Sequence, residues 1–205
     1  SDIKFDEITK PSTTSLDFNG YIAGNGFTIS GLKIGANSSI YATSVKSDNS
    51  SYGLFATISG NANGNTTKTN FDAEDKATIS SQDGTVKDLK IEVNYLSANQ
   101  VLSVGVLAGE MNNVCVSNVE IDGAGIIIQG KSFVGGLAGK IDGTSTIIKN
   151  ITTNVGINAG AYQTAEQFEI YNENRSKISY GYAGAFAGAV LAGKVQNITI
   201  ESGVY

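Results

Sequence analysis

Apolar and polar positions alternate along this chain in short runs, and two of these runs return several times. The first is a phrase of apolar residues and glycine: VGVLAG at 104–109, VGGLAG at 134–139, AGAFAG at 183–188 and a degenerate YGLFAT at 52–57. In the second phrase an apolar residue is followed two positions later by Asn or Asp, and then by two apolar residues separated by one. It occurs as VKDLKI at 86–91, VSNVEI at 116–121, IKNITT at 148–153 and VQNITI at 195–200, with ISGLKI at 29–34 as an earlier relative. Such recurrence indicates a repeat architecture.

The spacing of the second phrase gives the length of the repeat. Its copies start 57, 30, 32 and 47 residues apart, so the period is about 30 residues, interrupted by two insertions. The first insertion, 59–83, is rich in Asn, Thr, Asp and Gly, and this composition predicts a long surface loop. The second, 158–181, carries several tyrosines among charged residues.

Each second phrase predicts a strand with one buried face, because apolar and polar residues alternate over its last positions. The apolar residue three positions earlier breaks that alternation, which predicts a corner or bulge between them. The corner falls on residue types that tolerate a left-handed backbone and form local hydrogen bonds: Gly31, Asp88, Asn118, Asn150 and Asn197. Stacked on successive repeats, Asn118 and Asn150 are expected to form a short ladder.

A third apolar run, GIIIQ at 125–129, completes a repeat of three short strands. Three strands per repeat predict an all-β fold, a right-handed parallel β-helix of about five turns with two inserted loops. The handedness follows from the usual crossover rule. Leu107, Leu137 and Phe186 are expected to stack as one internal column, and the glycines of the first phrase let neighbouring backbone approach. We expect a single domain over residues 1–205, with residues 1–16 as an N-terminal cap.

The phrases VGVLAG with VSNVEI and VGGLAG with IKNITT resemble GLUG repeats, which are named for a Gly-Leu-any-Gly core. The core is matched literally at 136–139 alone, whereas 106–109 and 185–188 differ at the first position. The segment FNGYIAGNGFTISGLKI at 18–34 resembles the turn that often precedes such repeats in bacterial surface proteins. The resemblance implies a surface-displayed solenoid, extracellular or on the bacterial cell surface, that is one segment of a longer chain with an adhesin-like function.

Charge and composition exclude several classes of function. The formal net charge is −5, and no basic run exists, which argues against nucleic acid and anionic membrane as partners. The chain has no His, so His-based metal sites and Ser-His-Asp or Cys-His catalysis are absent. The single Cys115 lies on a phrase of core residues and is expected to be a buried, unpaired thiol. We expect no cofactor, no metal site and no catalytic residue.

The acidic residues of neighbouring repeats leave two alternatives open. Alignment of the phrases places Glu92 beside Asp122 and Lys90 beside Glu120, about 4.8 Å apart on adjacent strands. This spacing is near the carboxyl separation of a retaining glycosidase, and the rival function is therefore a β-helical carbohydrate-active enzyme. The other interpretation is a solvated face on which Lys90 pairs with Glu120. A calcium ion that bridges Glu92 and Asp122 also stays open.

The best candidate for a recognition surface is the tyrosine-rich insertion with the residues that follow it. Tyrosine rings suit sugar stacking or protein contacts because they bury area at little entropic cost and keep a polar tip. The candidate ligand-binding residues are Tyr162, Tyr171, Tyr180 and Tyr182. Tyr180 and Tyr182 also fit an ordinary strand that leads into AGAFAG. The sequence thus predicts a non-catalytic adhesin-like binding or spacer domain whose partner is a glycan or protein of a host or neighbouring cell.

Overall fold

The computed structural model describes residues 2–4, 17–35, 51–60, 69–71, 77–79, 83–98, 101–159 and 181–201. Every regular element within these ranges is a β-strand, which confirms the all-β prediction. The strands are β1 Ile3–Lys4, β2 Asp17–Phe18, β3 Tyr21–Ala23, β4 Thr28–Gly35, β5 Ser51–Tyr52, β6 Phe55–Ser59, β7 Thr69–Phe71, β8 Ala77–Ile79, β9 Thr85–Ala98, β10 Ser103–Gly105, β11 Ala108–Asn112, β12 Cys115–Asp122, β13 Ile127–Gly130, β14 Phe133–Gly135, β15 Ala138–Asp142, β16 Ile147–Thr153, β17 Gly156–Ala159, β18 Tyr182–Gly184, β19 Ala187–Val190 and β20 Lys194–Ile200.

Strands from successive repeats lie side by side in three parallel sheets. The first sheet has the order β18-β14-β10-β5, and the second has the order β19-β15-β11-β6-β2. The third runs β1-β4-β9-β12-β16-β20, with β3 also paired to β9 and with β13 paired to both β9 and β17. This arrangement is consistent with the predicted β-helix, since the inner strands β10, β11 and β12 each pair in parallel with their equivalents one repeat before and after.

The glycine phrase spans the junction between the first two sheets. Within VGVLAG, Gly105 ends β10 and Ala108 begins β11, and Leu107 lies fully buried at the bend between them. A Cβ on Gly105 would lie 2.3 Å from the Ala138 Cα of the next repeat, so glycine is required by the close approach of backbone. Leu107 and Leu137 are completely buried, and Phe186 packs against the same core while half-buried.

The predicted left-handed corners are confirmed. Residues at all five positions have positive φ: Gly31 (75°), Asp88 (54°), Asn118 (53°), Asn150 (55°) and Asn197 (53°). In β12 the corner lets both Val116 and Val119 point into the core, and both are fully buried. A regular strand would place residues three apart on opposite faces, so the corner is the local feature that closes the core at this point.

The predicted register of the 29–34 copy of the second phrase was wrong. The alignment of 29–34 with 86–91 placed Leu32 beside Leu89, but Leu32 pairs with Val93. The cause is β3, which lies beside Thr85–Lys87 at the start of β9. A tight turn at Asn25 and Gly26 then connects β3 to β4, so the phrase is displaced toward the second half of β9.

The two segments that the sequence assigned to insertions, and the N-terminal segment 1–16, each contain a strand where the structure describes them. β7 and β8 form an antiparallel pair inside the first insertion, so this segment is not all loop; Thr, Ile and Phe favour such pairing. Asn158 and Ala159, assigned by sequence to the second insertion, belong to β17. At the N terminus, β1 pairs with β4, and Asp2 Oδ1 accepts a hydrogen bond of 3.1 Å from Thr28 N.

We expect Leu137→Ala to lower the free energy of unfolding by about 2–5 kcal/mol, because it leaves a cavity in a dry core column. Leu191→Ala is the matched control, since Leu191 is 62% exposed and its loss should cost less than about 0.5 kcal/mol. Chemical denaturation of both variants measures the difference. Equal losses would contradict the assignment of Leu137 to the internal column.

Candidate functional site

An amide ladder crosses the corner of four adjacent strands. Asn118 Nδ2 donates to Asp88 Oδ1 at 2.7 Å, Asn150 Nδ2 to Asn118 Oδ1 at 2.9 Å, and Asn197 Nδ2 to Asn150 Oδ1 at 3.0 Å. The predicted pair of Asn118 and Asn150 is therefore confirmed and extends to a carboxylate at one end. These side chains lie on the surface, so the ladder joins the repeats on their outer side.

Asp88 sets the direction of the ladder. An ionised carboxylate only accepts hydrogen bonds, so Asn118 must turn its NH₂ group toward Asp88, and each further amide follows the same direction. Charge on the terminal acceptor strengthens the first bond and polarises the next. Because every corner has a left-handed backbone, the ladder requires residues that combine this conformation with a side-chain amide or carboxylate.

A second polar cluster lies on the strands that follow the corner. The predicted register is confirmed, since Glu92 pairs with Asp122 and Lys90 with Glu120. Lys90 Nζ lies 2.8 Å from Glu120 Oε1, 2.9 Å from Asp122 Oδ2 and 3.9 Å from Glu92 Oε1. One ammonium group is thus shared by three carboxylates: the Lys90–Glu120 pair of the solvated-face interpretation is present, and Lys90 contacts Asp122 and Glu92 as well.

These contacts shift the pKa values of the cluster. Hydrogen bonds to Glu120 and Asp122 raise the pKa of Lys90. The pKa of Asp122 is lowered, first by a hydrogen bond from Asn154 and then by one from Lys90. Asn154 Nδ2 donates to Asp122 Oδ1 at 3.0 Å, while Asn154 Oδ1 accepts from Gly123 N at 2.7 Å. A carboxyl group with a lowered pKa stays ionised at neutral pH, which is unfavourable for a general acid.

A groove of about 580 Å³ lies between the ladder and the lysine cluster. It is lined by polar side chains and one leucine: Asn25, Gly26, Thr28, Asp88, Leu89, Lys90, Asn118 and Glu120. Sequence reasoning missed Asn25, Gly26 and Thr28, because it aligned the 29–34 copy of the second phrase with the wrong part of β9. The Asn-Gly pair was the available signal, since this dipeptide favours tight turns with positive φ.

Only one of the four candidate tyrosines lies in the part of the chain that the structure describes. Tyr182 is in β18, is 54% exposed, and stacks on Phe133 of β14 with ring centroids 5.2 Å apart and an interplanar angle of 8°. It is therefore both a strand residue and an accessible aromatic surface. Tyr162, Tyr171 and Tyr180 lie outside the described residues.

Cys115 is buried and unpaired, as expected from its neighbours. Burial raises the pKa of its thiol to about 11, and a neutral buried thiol is a poor nucleophile. Among the described residues, no group of three or more His, Cys, Asp or Glu is arranged to hold a metal ion. The same part of the chain contains no helix of the length and apolar character needed to cross a membrane.

Comparison with models of protein families, with curated proteins and with solved structures finds no match to this chain.

We expect Asn118→Asp to destabilise the protein by about 1–2 kcal/mol at pH 7, because it removes the donor to Asp88 and sets two carboxylates side by side. Repulsion raises a carboxyl pKa in the folded state, so the repulsive part of the loss should shrink as the pH falls through that raised pKa and should be absent below about 4, near the unfolded pKa. Denaturation at pH 7 and at pH 3.5 measures this change. Asn113→Asp is the control: Asn113 also has positive φ (52°), and its Oδ1 accepts from Ser145 N, a role that Asp preserves. An equal loss in the control would contradict the ladder.

We expect Lys90→Met to lower stability at neutral pH by up to about 1 kcal/mol, because three partly exposed carboxylates lose their shared cation. Asp122 has a folded pKa below its unfolded value, so its contribution is present above about pH 4 and is lost as the pH falls through the folded pKa. The variant should therefore be compared with the parent as a function of pH, and NMR titration should show a higher pKa for Asp122. Lys194→Met is the control, since Lys194 is exposed. An unchanged Asp122 titration would contradict the proposed coupling.

Proposed function

We propose that this chain is a non-catalytic, adhesin-like binding domain of a bacterial surface or secreted protein, built as a right-handed parallel β-helix of about five turns of GLUG type. The glycine phrases, the parallel register between repeats and the corner residues support this assignment. The ligand class is a glycan of a host or neighbouring cell. If the domain binds no ligand, the same architecture would serve as a spacer.

The observation that carries glycan binding is the exposed Tyr182, which stacks on the half-buried Phe133. More than half of the Tyr182 residue is exposed to solvent, and its ring is stacked on that of Phe133. A ring fixed in this way stacks on the apolar face of a sugar at little entropic cost. The polar groove beside Asp88 and Lys90 lies on a different sheet and is a second candidate surface, because its amides, carboxylates and hydroxyl suit the hydrogen bonds of sugar hydroxyl groups.

The lysine cluster favours a non-catalytic function over the enzyme alternative. A retaining glycosidase needs one carboxyl group with a raised pKa beside an ionised one. Asp122 has a lowered pKa, and Lys90 neutralises charge on the same face. The adjacency of Glu92 and Asp122 is the observation that favours the alternative. Hydrolysis of a glycan that is lost in the double variant Glu92→Gln with Asp122→Asn would establish the enzyme and overturn our proposal.

Glycan-array binding by the purified chain tests the function. We expect Tyr182→Ala to weaken binding about tenfold, or about 1.4 kcal/mol, because it removes the apolar contact area that the ring buries against the sugar. Tyr21→Ala is the matched control, since Tyr21 is also an exposed strand tyrosine (38%) and lies on β3. Equal affinity in Tyr182→Ala and the parent would remove Tyr182 from the site.

Two further variants locate the binding surface if a glycan is bound. A Gly-Ser linker in place of residues 160–180 removes Tyr162, Tyr171 and Tyr180 and tests the sequence prediction for these residues. Glu120→Gln alters the polar groove without a large change in volume. Binding that is lost only in the linker variant assigns the insertion, whereas binding lost only in Glu120→Gln assigns the groove. No binding by the parent to any glycan would leave a spacer or a protein-binding module.

A further inference from the structure

The last repeat exposes residues whose equivalents in the preceding repeat are buried. Val190 is 46% exposed, while its register partner Ile141 is fully buried. Ile200 is 54% exposed, while its partner Thr153 is fully buried. The positions of the other core columns change in the same direction, from buried in β14–β16 to half-buried or exposed in β18–β20. The outer side of β18, β19 and β20 is thus the same kind of surface that the inner repeats bury against each other.

Two of the three strands of this surface, β18 and β19, lack the usual protection of a sheet edge, whereas β20 begins with the exposed Lys194, which pairs with the buried Ile147. Natural edge strands carry charges, proline or bulges that prevent pairing with another strand. Residues 182–193, YAGAFAGAVLAG, contain no charged residue and no proline. Leu191, next to β19, is 62% exposed. An apolar, uncharged edge of this kind is expected to be covered in the working protein.

The glycines of the first phrase determine how closely the backbone of a neighbouring strand can approach this edge. Within the described repeats, a Cβ on Gly105 would lie 2.3 Å from the Ala138 Cα of the next repeat, and one on Gly135 would lie 2.5 Å from the Ala187 Cα. Gly184 occupies the equivalent position in the last repeat. The three atoms nearest to a Cβ there all belong to Ala187 of the same repeat, at 2.2–3.7 Å, whereas a Cβ on Gly105 or Gly135 would meet the following repeat. Space for one more alanine-bearing strand is therefore open above Gly184.

The amide ladder defines the chemistry at the corner. Each Oδ1 of Asp88, Asn118 and Asn150 accepts from the amide of the following repeat. Asn197 donates through its Nδ2 to Asn150, and within the described residues no donor reaches its Oδ1. A further parallel strand with Asn at its corner would supply that donor in the existing direction of the ladder.

We propose that the outer edge of β18, β19 and β20 docks one further turn of the same repeat, in parallel and in register. The occupant carries a small residue opposite Gly184, apolar residues opposite Val190 and Ile200, and an Asn whose Nδ2 donates to Asn197 Oδ1. Continuity with the interface between the inner repeats is the argument for this occupant. The inference does not depend on glycan binding, so the two proposals fail independently.

The test extends the full chain by a copy of one of its own repeats. A second copy of residues 123–154, inserted between Glu201 and Ser202, places the copied strands β14, β15 and β16 over β18, β19 and β20. Hydrogen exchange measured by mass spectrometry should slow at least about tenfold in β18–β20, because pairing on the outer side removes local opening. Unchanged exchange in the extended protein would overturn the proposal.

Two matched controls separate docking from the mere presence of extra chain. In the first, Ile148 and Ile151 of the inserted copy are changed to Lys, which prevents burial of the copied strand and should abolish the gain. In the second, Asn150 of the copy is changed to Asp, which tolerates the corner but presents an acceptor to Asn197 Oδ1, and should reduce the gain. A full gain in both controls would overturn the assigned chemistry.

The alternative occupant of this edge is a second copy of the chain. Light scattering after size-exclusion chromatography would detect the resulting dimer. We expect the unextended protein to be monomeric at micromolar concentration. A dimer that is lost in Leu191→Lys and kept in Ile127→Lys would show that a second copy covers the edge and would overturn the proposed occupant. Ile127 is the matched control because it is 50% exposed but lies on β13, away from this edge.

Discussion

The left-handed corner is the constraint on which the rest of this structure depends. A strand alternates its side chains between two faces, so a continuous strand could not turn both Val116 and Val119 inward. One residue of positive φ at Asn118 changes the direction of the chain and buries both. The same conformation recurs at Asp88, Asn150 and Asn197. Each corner must fall at the same height, because backbone hydrogen bonds tie every strand to its equivalents.

The polar surface of the molecule is a consequence of that register. Once the corners are stacked, their side chains lie within hydrogen-bond distance and form the ladder from Asn197 to Asp88. The following outward positions are stacked as well, which brings Lys90 between Glu120 and Asp122. Neither the ladder nor the lysine cluster requires any further element of structure. Parallel pairing of backbones converts a sequence repeat into columns of like or complementary side chains.

The same logic explains why exposure is concentrated at the end of the stack. Where strands of successive repeats pair in parallel, each inner repeat is covered by its two neighbours. The inner columns, such as Val116 and Ile148, are completely dry, while their equivalent Val195 in the last repeat is only half-buried. The side chains at the corners and on the outer faces of the inner strands are therefore polar and ion-paired, whereas the edge of the last repeat exposes apolar residues. These two kinds of surface suit different partners, polar ligands on the side and β-structure at the end.

The sequence by itself determined the repeat, the all-β class, the corner positions and the adjacency of Glu92 with Asp122, because equal spacing in sequence becomes equal height in parallel strands. It failed at the first repeat, where the turn at Asn25 and Gly26 let β3 take the place predicted for the phrase at 29–34. It also missed the groove, which is formed by residues about 60 positions apart and depends on that shifted register. Tertiary structure alone decided which side chains are exposed, since Tyr182 and Ile200 occupy strand positions like those of buried residues elsewhere. Exposure depends on whether another strand lies alongside, and no local pattern encodes the presence of a neighbour.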